Sequence, residues 1–332
     1  MKFKTIEWLG DRVRIIDQRG LPLKENYLDL RTPEEVYDAI KNMAIRGAPA
    51  IGVIAGYGVA LAALRDGSKE QILNKIELLS KSRPTAYNLF YALERMKKIV
   101  ESGAETDKII REAIKIHNED IEICNKMGEY GSKLLPEKAI CMTICNAGAL
   151  ATGGIGTALG VFYKAKEMGK VIKVFVPETR PFLQGARLTA WELMKNGIEA
   201  VLIADGAKAF ILQREKVDAI FVGADRIALN GDTANKIGTF GLAINAEKIG
   251  VPFYVVAPST TFDRTIKTGE DIPIEERNPD EITHLNEIRI APEGIKVKNP
   301  VFDVTPHSLI NGIITEKGIL LSPFIESIKK VL

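Results

Sequence analysis

Cysteine and histidine are scarce, three of each in 332 residues, and no Cys-x-x-Cys pair occurs. An odd number of scattered thiols argues against a disulfide framework and for a reducing compartment. With no cluster of cysteine, histidine and carboxylate at ligand spacing, neither a metal nor any other cofactor is expected. Excess charge of one sign is also missing: 45 Lys and Arg are mixed with 43 Asp and Glu, net +2. That leaves no basic stripe for nucleic acid. No long unbroken hydrophobic run exists either. The longest stretch, Ala48 to Leu64, is interrupted by glycines and Tyr57 and reads as a buried helix, so no membrane partner is expected. Met1 to Trp8 has no apolar signal core, which points to a cytoplasmic protein.

What is present is an ordinary globular composition, 46% hydrophobic and 27% charged, in a chain longer than one core usually supports. Ile6 to Leu9, Val13 to Asp17 and Tyr27 to Leu30 alternate as strands around turns at Gly10-Asp11 and Gly20-Leu21-Pro22, a small antiparallel meander. Thr32-Pro33-Glu34-Glu35 is a helix start, with Thr as cap and Pro at the first helical position. From there to about Leu135 the apolar spacing is helical. Beyond it, apolar runs (Ala139–Ile144, Val171–Val176, Ala200–Ile203, Ala219–Val222, Phe253–Ala257) alternate with helical segments such as Gly156–Glu167 and Gly185–Lys195. Strands alternating with helices imply a parallel sheet covered on both faces. The expected fold is α/β: a mostly helical N-terminal domain with a β-meander (1–125), then a doubly wound, Rossmann-like sheet domain (126–332).

Chemistry concentrates in three small, polar, glycine-bearing stretches: 45–52, 144–149 and 222–227. A strand ending in such a turn is how open α/β sheets build a ligand crevice. Cys145 follows one strand, with Cys141 and Thr143 sharing its face by the period-two rule; Cys124 and Cys141 read as structural. Asp225 follows another strand, and so apolar a setting predicts partial desolvation and a raised pKa suited to acid–base work. After it comes Asn230 to Thr239, a polar, glycine-flanked loop with one lysine, suited to a sugar or phosphate. The loop Ala147 to Gly160 stands where backbone N–H groups bind phosphate, but its Gly154-x-Gly156-x-x-x-Gly160 spacing is not the dinucleotide fingerprint. Arg46, Arg83, Arg180 and Arg187 are candidates for phosphate or for buried carboxylates. The histidines receive no role.

Together these segments resemble the methylthioribose-1-phosphate isomerase family nearly end to end. The most specific matches are Arg46-Gly47-Ala48-Pro49-Ala50-Ile51-Gly52, Cys145-Asn146-Ala147-Gly148, Glu178-Thr179-Arg180-Pro181, Gln184-Gly185-Ala186-Arg187, Gly223-Ala224-Asp225-Arg226 and Asn235-Lys236-Ile237-Gly238-Thr239. The resemblance implies an aldose–ketose isomerase of methionine salvage and a homodimer. It puts Cys145 and Asp225 at the catalytic positions and assigns the sugar phosphate to Arg46, Gly47, Ala48, Arg83, Gln184, Asn235 and Lys236. The alternatives are an isomerase of another ribose or deoxyribose 1-phosphate, and a non-catalytic relative of the regulatory initiation-factor subunits. A nicotinamide dehydrogenase is disfavoured by the glycine spacing. One stretch departs from the family: Asp205-Gly206-Ala207-Lys208-Ala209 carries a lysine where an apolar residue is usual. Lys208 either snorkels to solvent or points inward, where its ammonium would suit a more polar 5-substituent.

Overall fold

Thr32 opens the first helix with a reciprocal capping box, its hydroxyl accepting from Glu35 N (3.2 Å) while the Glu35 carboxylate accepts from Thr32 N (3.1 Å). The helix, α1 (Pro33–Lys41), follows the meander β1 (Ile6–Trp8), β2 (Val13–Ile16) and β3 (Tyr27–Leu30), which is antiparallel as expected. The computed structural model of the chain describes residues 1–65, 67–84, 87–285 and 287–332; Thr85, beside Arg83, lies outside them. Two compact units form, 1–125 with 147–160, and 126–146 with 161–332.

In the first unit α2 (Ala48–Arg65) is apolar all round and has 14 of its residues buried, the signature of a central core helix. Its length and composition would also satisfy a membrane span, but here it packs against α1, α3 (Lys69–Ser80) and α4 (Tyr87–Glu101). The long α5 (Thr106–Ser132) completes the helices. The alternation pattern assigns 147–160 to the sheet domain, whereas the structure groups it with the helices. Its backbone finds its partners there: Thr5 Oγ1 donates to Ala149 O (2.7 Å), Gln18 Nε2 to Leu150 O (2.7 Å), and Gly153 N to the Asp120 carboxylate (2.6 Å).

The second unit is built on β4 (Lys138–Met142), β5 (Val171–Pro177), β6 (Glu199–Ile203), β7 (Ala219–Val222) and β10 (Phe253–Val256). With the C-terminal strands β14 (Gly312–Thr315) and β15 (Gly318–Leu320) they form one sheet, ordered β15-β14-β10-β7-β4-β5-β6. All pairings are parallel except β14 with β15. Apart from that added edge, the order is the doubly wound dinucleotide-fold order. Helices α6 (Ala158–Glu167), α7 (Ala190–Lys195), α8 (Lys208–Arg214) and α9 (Thr239–Ile249) punctuate the strands. Residues 185–189, expected as ordinary helix, form a π-turn leading into α7.

A second, small sheet was not foreseen. It joins β8 (Arg226–Ile227), β9 (Thr233–Lys236) and, beyond the short hairpin β11 (His284–Leu285)–β12 (Ile288–Arg289), β13 (Phe302–Thr305). The expected polar loop 230–239 is therefore partly a strand. Thr233-Ala234-Asn235-Lys236 is buried at every position, because neighbours on both sides satisfy its backbone groups.

Candidate active site

In a doubly wound sheet the crevice opens where strand order reverses. Here β5 and β6 lie to one side of β4, and β7 and β10 to the other. Cys145 comes three residues after the end of β4 and Asp225 three residues after the end of β7. Thiol and carboxylate thus leave adjacent parallel strands at the switch point. Gln184 follows β5, and Asp205 and Lys208 follow β6.

Strand β4 ends at Met142, and Cys145 has left-handed backbone (φ 68°), so the expected face-sharing with Cys141 and Thr143 does not extend to it. The turn is held from several directions. Cys145 N donates to Thr179 Oγ1 (3.1 Å), which itself donates to Pro177 O (3.0 Å). Cys145 O accepts from Thr189 Oγ1 (2.6 Å). Asn146 Nδ2 donates to Thr189 Oγ1 (3.2 Å) and to the fully buried Glu192 carboxylate (2.9 Å). The sulfur accepts from Gln184 Nε2 at 3.3 Å. Gln184 is 3% exposed, and its amide oxygen has no hydrogen-bond partner among the described residues. Gly185 is required beside it, since a Cβ there would lie 1.9 Å from Pro177 O. Burial pushes the Cys124 and Cys141 thiols up, consistent with structural roles, while Cys145 is partly exposed.

Asp225 departs from expectation. It is exposed, because the chain turns outward at Gly223-Ala224, so the apolar strand before it does not desolvate it. Its N–H donates to Ala234 O (2.9 Å), which places it alongside Asn235. Asn235 and Lys236 are buried, at 4% and 5% exposure. Asn235 Nδ2 donates to Thr239 Oγ1 (3.0 Å), and the Lys236 ammonium lies 5.0 Å over the Phe302 ring. Lys208 does not snorkel. Its ammonium donates to Gly238 O (3.2 Å), and burial lowers its pKa against the opposing pull of Asp205 and Asp303.

Arg46, Gly47, Ala48 and Arg83 belong to the first unit, where the two arginines are half-buried. Gly47 (φ 94°) is irreplaceable at the start of α2, since a Cβ would come within 2.5 Å of Ala151 Cα. Sequence reasoning missed a buried relay in this unit. Tyr57 Oη and His117 Nδ1 are 2.8 Å apart, and His117 Nε2 lies 3.0 Å from Gly153 O. Asp120 accepts Gly153 N from the other side and is pushed up to about 6 by burial, against the pull of the Gly153 and Gly154 N–H groups. Tyr57, His117 and Asp120 come from two distant helices, and only the i, i+3 pair His117/Asp120 on α5 offered a sequence signal. Among the described residues, no group of three or more His, Cys, Asp or Glu is placed to hold a metal ion.

The sequence profile of the Initiation factor 2 subunit family matches residues 44–322. A methylthioribose-1-phosphate isomerase of Thermotoga petrophila is 53% identical, the match covering 100% of this chain and 99% of that protein. The crystal structure of 5-methylthioribose 1-phosphate isomerase from Pyrococcus horikoshii OT3 superposes with a TM-score of 0.92 at 47% identity, covering 99% of this chain and 95% of that one. The crystal structure of the translation initiation factor eIF-2B, subunit delta, from A. fulgidus gives a TM-score of 0.92 at 43% identity, covering 99% of both chains. The chain belongs to the Initiation factor 2 subunit family and, within it, to the methylthioribose-1-phosphate isomerases.

Proposed function

We propose that this protein is an aldose–ketose isomerase converting 5-methylthioribose 1-phosphate to 5-methylthioribulose 1-phosphate in methionine salvage. What carries the reading is a thiol and a carboxylate at the switch point of a chain 53% identical, end to end, to an enzyme of that name. In a sugar 1-phosphate the anomeric carbon is locked, so the ring must open with the phosphate still attached. Hydrogen then moves from C2 to C1, and no atom is gained or lost. Asp225 is the proposed acid at the ring oxygen, and the C2 hydroxyl releases a proton in exchange as the ketone forms; the exposure of Asp225 suits proton exchange with solvent. Cys145, with Gln184 donating to its sulfur, has two available roles. In one, the sulfur takes the C2 proton, which exchanges with solvent, and a proton is then delivered to C1 of the enol phosphate as the C2 hydroxyl loses its own to leave the ketone. In the other, hydrogen crosses as hydride and the sulfur stabilises the transition state. Solvent deuterium at product C1 marks the first route and its absence the second.

The buried Gln184 oxygen is the proposed acceptor for a substrate hydroxyl, since a buried polar atom left unpaired is costly. The resemblance adds Asn235, Lys236, Arg46, Gly47, Ala48 and Arg83 to the proposed substrate contacts, with the guanidinium groups serving the phosphate.

The likeness to the A. fulgidus initiation-factor subunit favours a second reading, a regulatory subunit that binds a ligand without turnover. A turnover assay with methylthioribose 1-phosphate, deoxyribose 1-phosphate and ribose 1,5-bisphosphate separates the readings. Preferred turnover of the first upholds the proposal, and binding without turnover of any favours the subunit. We further place the enzyme in the cytoplasm as a homodimer, the common state of soluble oligomers. Light scattering at micromolar concentration should give twice the 36.5 kDa chain mass.

A further inference from the structure

We infer that Lys208 is a positioning residue whose ammonium ties the Cys145 side of the site to the Asn235–Lys236 side, through Asp205 on one hand and Asp303 with Gly238 on the other. The inference rests on the reading of Cys145 as part of the active site.

The tie can be followed bond by bond. Asp205 accepts Thr179 N (3.0 Å) and Arg180 N (2.7 Å), and Thr179 Oγ1 is the group that accepts Cys145 N. On the other side Asp303 lies opposite Asn235 in the β9–β13 ladder. Its carboxylate accepts Gly238 N (2.7 Å) and Phe240 N (3.0 Å), capping α9 just beyond Asn235-Lys236. Lys208 lies between these halves. Its ammonium donates to Gly238 O and is attracted by both carboxylates. Lys208 Nζ and Ile144 Cδ1 also converge beside Gly238, at 3.0 and 3.3 Å from the position a Cβ would take there. Ile144 is the residue before Cys145, so the ammonium and the approach to the cysteine turn meet at the same glycine.

Exposed charges would add little to such an arrangement. Lys208, Asp205 and Asp303 are each half-buried, and burial raises the Asp303 pKa despite the Phe240 and Gly238 N–H groups and the Lys208 charge. Without the cation, the two carboxylates would lose its attraction, and the turns they hold would shift. Displacements of that kind are felt strongly at reacting atoms.

Lys208→Met keeps the stem and removes the charge, whereas Lys208→Arg keeps the charge. The primary readout is the rate of iodoacetamide alkylation at Cys145 in each full-length variant, followed by peptide mass spectrometry with the buried Cys124 and Cys141 as internal references. Kinetics with methylthioribose 1-phosphate, per folded molecule, are the second. Lys208→Met should change the Cys145 alkylation rate and lower kcat by about 10²-fold with a smaller effect on KM, and Lys208→Arg should restore much of both. An unchanged alkylation rate overturns the inference, whatever turnover does. If alkylation changes but Cys145→Ser turns over normally, the positioning stands and the catalytic assignment of Cys145 fails. Should Lys208→Met not fold, Asp303→Asn cuts the same tie, and the same two alkylation outcomes decide.

Discussion

Two polar turns in this molecule are built from similar residues and treated oppositely. Gly153, in the helical unit, is held at its N–H by Asp120 and at its carbonyl by His117, which is itself paired with Tyr57. The Cys145 turn, in the sheet unit, is pinned just as firmly through its backbone, yet it keeps a partly exposed sulfur and a buried Gln184 oxygen with no partner among the described residues. Backbone strain gathers there too. Of the four non-glycine residues with positive φ among the described residues, Cys145, Thr179 and Leu183 belong to this region, and each such residue costs on the order of 1–3 kcal/mol. One turn closes its polar accounts within the fold and is architectural. The other leaves them open, as a site that completes its bonds on a ligand would.

The largest test of this contrast falls on the open site. Asp225→Asn should slow turnover by roughly 10²–10⁴-fold, the usual worth of a positioned acid or base. If Asp225 serves only as an ion-pair partner, a melting curve will show lost stability while rate per folded molecule stays normal. Cys145→Ser should follow, with turnover down by about 10²-fold or more and substrate affinity held within a few fold, because the sulfur acts mainly at the transition state. Near-normal turnover would remove it from the chemistry.

The closed turn should answer in stability instead. The folded pKa of Asp120, about 6, lies above the ordinary aspartate value of 3.8, so between these values the native state binds more protons than the unfolded one. Stability therefore falls as pH rises through that window, by up to roughly 3 kcal/mol from this group. Asp120→Asn, which has no proton to lose, should flatten that slope in melting curves taken from pH 4 to 7, and a slope equal to that of the unaltered protein would contradict the buried-acid assignment. The smallest expected effect is none: EDTA followed by dialysis should leave activity intact, and activity restored only by a divalent ion would reveal a missed site.

Much of the fold was legible because burial on both faces forces strands such as Ala219–Val222 into apolar runs. The capped start of α1 was equally plain. The small sheet was not: Thr233-Ala234-Asn235-Lys236 is buried through pairing with β8 and β13, and nothing in a polar tetrapeptide announces such neighbours. Asp225 misled for a related reason, since the apolar strand before it says nothing about which way Gly223-Ala224 turns the chain. Strand-end positions for Cys145 and Asp225 could be read locally. The orphaned Gln184 oxygen, the inward ammonium of Lys208 and the pairing of His117 with Gly153 depend on segments far apart in sequence and became visible only in three dimensions.

The allegiance of residues 147–160 bears on how the chain matures. The helical unit does not end where its helices end; it needs a segment that emerges only after β4. A nascent chain grows from its N-terminus at about 5–20 residues per second, so the helices must wait for the partner of Asp120 and of His117 Nε2 until Gly153 has left the ribosome. A fragment cut after residue 125 would carry that unfinished interior permanently. Excising the helical unit as an independent piece would therefore demand a splice that brings 147–160 along.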